Sequence, residues 1–90
     1  MREKRVESLL TRRVKELGGW AVKIAPIISG FPDRMVILPG GRVFFVELKA
    51  PKKRVAAHQA VVHRKLATLG CPVVVLDTLE KVEAWVASHS

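Results

Sequence analysis

One segment constrains the fold more than any other: Arg42-Val43-Phe44-Phe45-Val46-Glu47-Leu48-Lys49. Side chains alternate along a strand, so Phe44, Val46 and Leu48 share one face while Val43 and Phe45 share the other. A strand apolar on both faces belongs at the centre of a sheet covered by helices on both sides. The rest of the chain must supply those helices. Ninety residues suffice for one domain, here 1–90, with a thin core that a partner subunit would help to cover. Hydrophobic residues make up 49% of the chain, far more than a disordered chain carries.

Apolar spacing supplies the remaining elements. Val6, Leu9, Leu10, Val14 and Leu17 follow a helical period and Gly18-Gly19 ends that helix, with Lys4, Arg5, Arg12 and Lys15 on its outer face. Trp20 to Ala25 reads as a strand, and Ile27 to Pro32 as a loop broken by Gly30 and Pro32. Arg34–Leu38 and Arg42–Lys49 form a hairpin through Pro39-Gly40-Gly41. A second helix spans Ala57 to Leu69, stopped by Gly70, and Pro72 to Leu76 is a further strand. The last helix carries Leu79, Val82, Val86 and Trp85 inward, with Asp77 as its cap and Glu80 reaching back. The order α-β-β-β-α-β-α, with a right-handed crossover into a parallel last strand, predicts an α/β fold around a mixed four-stranded sheet flanked by helices.

Two charges at the end of the central strand need a reason, because burying charge is costly unless it is paired or binds a metal. Glu47 and Lys49 fall on one face, Leu48 on the other. With a three-residue Pro39-Gly40-Gly41 loop, Gly41 takes a left-handed position, Leu38 pairs with Arg42, and Asp33 comes to lie opposite Glu47. A two-residue turn would send Asp33 to the wrong face. Opposed carboxylates repel unless a cation lies between them, and this pair suits Mg²⁺ held by carboxylates, waters and a substrate phosphate. Lys49 is placed to position the attacking water or to offset charge on the phosphate. Glu7, at the margin of the first helix's apolar stripe, can look towards the same point.

The formal net charge is +8, an excess that attracts polyanions, and Lys52-Lys53-Arg54 is a candidate phosphate contact. The single cysteine, Cys71, permits no internal disulfide and is expected to be a small buried residue. His58 and His63 are five apart, out of register for two ligands on one helix face, and His89 has no partner at zinc spacing. No apolar run approaches the roughly 20 residues needed to span a bilayer, and the N-terminus leads into an amphipathic helix rather than a signal segment.

Pro32-Asp33 followed by Glu47-Leu48-Lys49 resembles the signature of the PD-(D/E)xK nuclease superfamily. The flanking stretches Val6-Glu7, Lys15-Glu16-Leu17-Gly18-Gly19, Gly30-Phe31-Pro32-Asp33-Arg34, Leu38-Pro39-Gly40-Gly41-Arg42 and Phe45 to Pro51, with Gln59, are similar to the stand-alone VRR-NUC branch. The resemblance covers almost the whole chain. It implies a Mg²⁺- or Mn²⁺-dependent endonuclease with Asp33, Glu47 and the Leu48 backbone carbonyl on the metal and Glu7 reaching it through water. Lys49 would be the catalytic lysine and Gln59 a further active-site residue. It also implies a homodimer acting on branched DNA such as Holliday junctions; Arg34 is a further candidate DNA contact beside Lys52, Lys53 and Arg54. The implied setting is the cytoplasm of a bacterial or phage-infected cell. Ala56-Ala57 departs from the Ser-Pro helix start common in that branch, which weakens the cap but removes no catalytic group. Two other readings stand beside it: a flap or restriction-like nuclease, for whose sequence-reading elements this chain has little room, and a DNA-binding module that does not cleave. The dimer interface is expected on the Leu79–Val86 helix around Trp85.

Overall fold

The computed structural model describes residues 3–25 and 27–90. Seven elements follow in the expected order: α1 (Glu3–Glu16), β1 (Trp20–Lys23), β2 (Arg34–Leu38), β3 (Arg42–Leu48), α2 (Ala57–Thr68), β4 (Val73–Leu76) and α3 (Leu79–Ser88). They build one four-stranded sheet in the order β1-β2-β3-β4, antiparallel except for the parallel β3–β4 pair. The first strand stops two residues short of its expected end, at Lys23.

The hairpin has the register that positions the rest. Leu38 pairs with Arg42 and Arg34 with Val46, so one further step along the ladder sets Asp33 against Glu47. Gly41 is left-handed at φ 75 as anticipated, and Gly40 is left-handed too, at φ 88. A proline followed by a left-handed glycine is the residue pattern of a type II turn, which needs glycine at its third position.

One face of the sheet is a dry core. Val6, Leu9, Leu10 and Val14 of α1 meet Val82 and Val86 of α3 over Val36, Leu38, Val46, Leu48 and Leu76. The chain leaving α1 passes flush over β2 at Gly19, where a Cβ would lie 2.5 Å from the Ile37 carbonyl oxygen. The opposite face is covered by α2, which buries none of its residues fully. Phe31 packs edge-on against Phe45 there, with ring centroids 5.5 Å apart. Gly30, at φ +89, lets that loop press on the first turn of α2, since a Cβ would stand 2.5 Å from the His58 carbonyl oxygen.

Several expectations are corrected. The α3 cap is Thr78, whose hydroxyl accepts from the Lys81 N–H at 3.1 Å. Asp77 lies one residue too early for that and instead pairs with the Lys81 ammonium at 2.9 Å, while Glu80 is solvent-exposed. Cys71 is exposed, because it lies in the turn after Gly70 and not within β4. Trp85 is no free patch: its ring meets Phe44 edge-on at 5.3 Å and His89 at 4.5 Å. Among the described residues the large exposed apolar side chains lie elsewhere, at Trp20, Ile27, Ile28, Val43, Val61, Leu69 and Val75.

Candidate active site

The carboxylates come together where β2 begins and β3 ends, on the face covered by α2. The Leu48 N–H donates to Asp33 Oδ1 at 3.1 Å, which ties the residue preceding β2 across to β3. Glu47 is only 3% exposed. Its Oε2 accepts from Gln59 Nε2 at 3.1 Å and lies 3.8 Å from Lys49 Nζ. Its Oε1 is buried and, among the described residues, has no hydrogen-bond partner. His63 Nε2, equally unpartnered, faces it at 3.6 Å.

The electrostatics follow from this crowding. Burial, and next the neighbouring Asp33 charge, push the Glu47 carboxyl up to about 7 despite the nearby Lys49. Burial also raises Asp33, opposed chiefly by the hydrogen bond from Leu48. His63 is lowered, first by burial and then by Lys49. Two close carboxyls that resist ionising, one with an orphaned oxygen, make a site whose charged form needs a cation. The donor set fits a hard divalent ion: Asp33 stands opposite Glu47, one step beyond the Arg34–Val46 pair, close enough for its charge to act on the Glu47 carboxyl. Among the described residues no three His, Cys, Asp or Glu side chains cluster as an all-protein cage. Mg²⁺ typically binds through one or two carboxylates and completes its shell with water and phosphate.

Arg34 and Glu7 behave differently from expectation. Arg34 is 5% exposed; its guanidinium is hydrogen-bonded to Glu7 Oε2 and donates to the Asp33 carbonyl at 2.9 Å. It also lies 3.8 Å from Asp33 Oδ2. A charge so enclosed faces the carboxylates rather than the outer surface where Lys52, Lys53 and Arg54 stand. Glu7 is linked to the pair through this arginine. Gln59 does two things, since its Oε1 accepts the Ala56 N–H at 2.9 Å while its amide holds Glu47. It thereby supplies half a capping box where Ala56 has no side chain to cap with.

No protein-family model matches the chain. Over 79 residues it is 42% identical to a protein of Acyrthosiphon pisum secondary endosymbiont phage 1 described as "Putative nuclease p44", covering 87% of this chain and 85% of that one. A solved structure described as "VRR_NUC domain" matches with a TM-score of 0.87 at 31% identity, over 98% of this chain and 97% of the other. The chain belongs to the VRR-NUC nuclease family.

Of the residues singled out for a VRR-NUC site, the structure gathers Asp33, Glu47, Lys49 and Gln59 in one place, with Glu7 linked through Arg34. Lys52, Lys53 and Arg54 lie outside it, exposed on the turn that follows. There Lys53 N–H bonds the Ala50 carbonyl at 3.0 Å and Lys52 has φ 67, a left-handed position usually left to glycine. His63 was not anticipated. Its separation from His58 hides it, and the signal that would reveal it is its spacing of four from Gln59, one turn along the same face of α2.

Proposed function

We propose that this VRR-NUC chain is a divalent-metal-dependent endonuclease that hydrolyses DNA phosphodiester bonds, working as a homodimer on branched DNA such as four-way junctions. The observation that supports the reading most is the buried Glu47, whose Oε1 has no hydrogen-bond partner among the described residues, set opposite the half-buried Asp33 with Lys49 alongside. Asp33, Glu47 and the Leu48 carbonyl would hold Mg²⁺ or Mn²⁺, with Glu7 acting through Arg34 or a water. Such an ion supplies a positive charge that polarises the scissile phosphate and makes a bound water more acidic. Lys49, half-withdrawn from solvent, directs its ammonium to the water or to the charge growing on the phosphate. Gln59 keeps Glu47 oriented.

Binding draws on the basic surface. Lys52, Lys53 and Arg54 follow the active site directly, and Lys4, Arg5, Ser8 and Arg12 line an open groove of about 450 Å³ on α1. The dimer reading moves from α3 to α2. Val61, Val62, Leu66 and Leu69, with Ile28 and Phe31, line an open apolar groove of about 430 Å³, and a second copy meeting it would cover that surface through one self-complementary patch. Among the described residues no helix is long and apolar enough to cross a membrane, and the cytoplasm of a bacterial or phage-infected cell is the proposed setting.

Incubating the protein with labelled linear, flap and four-way DNA, with and without Mg²⁺, tests this. Metal-dependent paired cuts in the four-way substrate are expected. Tight binding with no cut in any substrate would point to a binding module instead, and preferential flap cutting to the flap-nuclease alternative. Sedimentation of Leu69→Glu against wild type tests the dimer: the wild type should run at twice the chain mass and the variant as a monomer.

A further inference from the structure

We propose that His63 is a positioning residue for the nuclease reaction: its Nε2 serves Glu47 Oε1 while Gln59 serves Oε2, so that one face of α2 grips both oxygens of the metal-binding carboxylate. The inference rests on the metal-dependent reading above and adds to it a residue which that reading does not use.

The geometry carries it. Glu47 Oε1 and His63 Nε2 are the two buried polar atoms of the site without a hydrogen-bond partner among the described residues, and they face each other at 3.6 Å. That separation lies just beyond a hydrogen bond, and closing it by a few tenths of an ångström satisfies both. Leaving either unmade is costly in a buried setting. Gln59 and His63 stand four residues apart, so their side chains lie one above the other on the same face. Gln59 already holds the other oxygen at 3.1 Å. A carboxylate oxygen has lone pairs for both an imidazole N–H and a cation, so His63 and a metal ion do not compete for Oε1. Donors behind a metal-binding carboxylate fix its direction, and losing one typically lowers metal affinity or activity 10- to 100-fold.

The test uses the whole chain as wild type, His63→Leu and His63→Gln, titrated calorimetrically with Mn²⁺ and separately with Mg²⁺. Leucine keeps the bulk and removes the donor; glutamine returns an N–H. His63→Leu is expected to weaken both metals by about tenfold, with His63→Gln recovering most of the loss and metal-free binding to four-way DNA unchanged in both. Circular dichroism shows that each variant folds, and His63→Ala serves if leucine does not. Wild-type affinity in His63→Leu, or equal loss in the leucine and glutamine variants, would overturn the proposal. So would a loss confined to Mn²⁺, which marks His63 as a direct ligand. A wild type that binds Mn²⁺ yet leaves every DNA intact would refute the nuclease reading and leave the grip on Glu47 standing. No metal binding by the wild type would overturn both.

Discussion

The two faces of the sheet are built to different standards. On the side of α1 and α3, aliphatic residues from five elements pack with almost no exposure, and no chemistry is found among them. On the side of α2 the helix buries nothing completely, yet this is where Glu47 is held at 3% exposure with an orphaned oxygen. The same strand serves both: Val46 and Leu48 look into the core, Glu47 and Lys49 away from it. Stability and reactivity are thus separated by a single residue step along β3. The packed face can stabilise the fold while the other tolerates carboxyls that repel one another.

If that division is right, substitutions on the two faces should fail in different ways. The largest effect belongs to the carboxylates. Asp33→Ala or Glu47→Ala should lower cleavage of four-way DNA by at least about a thousandfold, with DNA binding retained or tightened as a repulsive charge leaves the phosphate site. Full cleavage by Asp33→Ala in a gel assay would break the comparison at its root. Lys49→Ala should likewise cost catalysis and leave the melting temperature nearly unchanged.

On the packed face, Leu10→Ala should destabilise by about 2–5 kcal/mol, because Leu10 is fully buried and its removal leaves a cavity. The check is chemical denaturation, and any surviving folded protein should still cut. A smaller effect concerns pH. Glu47 in the fold titrates near 7, above its ordinary 4.5, so the folded state favours the protonated form. The stability this confers is complete below about 4.5 and is lost as pH rises through 7. In metal-free buffer, Glu47→Gln should therefore gain on wild type by about 2–3 kcal/mol between those limits. Asp33 works in the same sense and His63 in the opposite one; both remain in the two proteins, and because the Asp33 charge helps to raise Glu47 the difference curve reports Glu47 together with its coupling to these neighbours. A flat difference would show that the carboxyl is not strained. The smallest effect is at Lys52, whose left-handed backbone costs about 1 kcal/mol that glycine would not. Lys52→Gly should melt slightly later and bind DNA more weakly, particularly at low salt.

Much of this was legible in the chain. The hairpin register followed from Pro39-Gly40-Gly41, and with it the opposition of Asp33 and Glu47, because turn chemistry and strand alternation are local rules. What escaped was tertiary. Arg34 opens a strand, where a charge reads as surface, and only the approach of α1 encloses it with Glu7. Spacing puts His63 on the same face of α2 as Gln59, but it becomes part of the site only because α2 crosses over Glu47. Trp85, expected at an interface, packs against Phe44 and His89, whereas Val61 of α2 and Leu69 at its end are the apolar residues left exposed. Thr78 displaced Asp77 as cap because helix starts are set to within a residue or two by competing side chains.

Gln59 has a consequence for how the protein could be watched at work. One amide group both closes the first turn of α2, at the Ala56 N–H, and steadies Glu47. Fraying of that helix end and misalignment of the carboxylate are then a single event. Hydrogen–deuterium exchange at the Ala56 amide would report on it, slowing whenever something in the active site holds Glu47 still, long before any bond in DNA is cut.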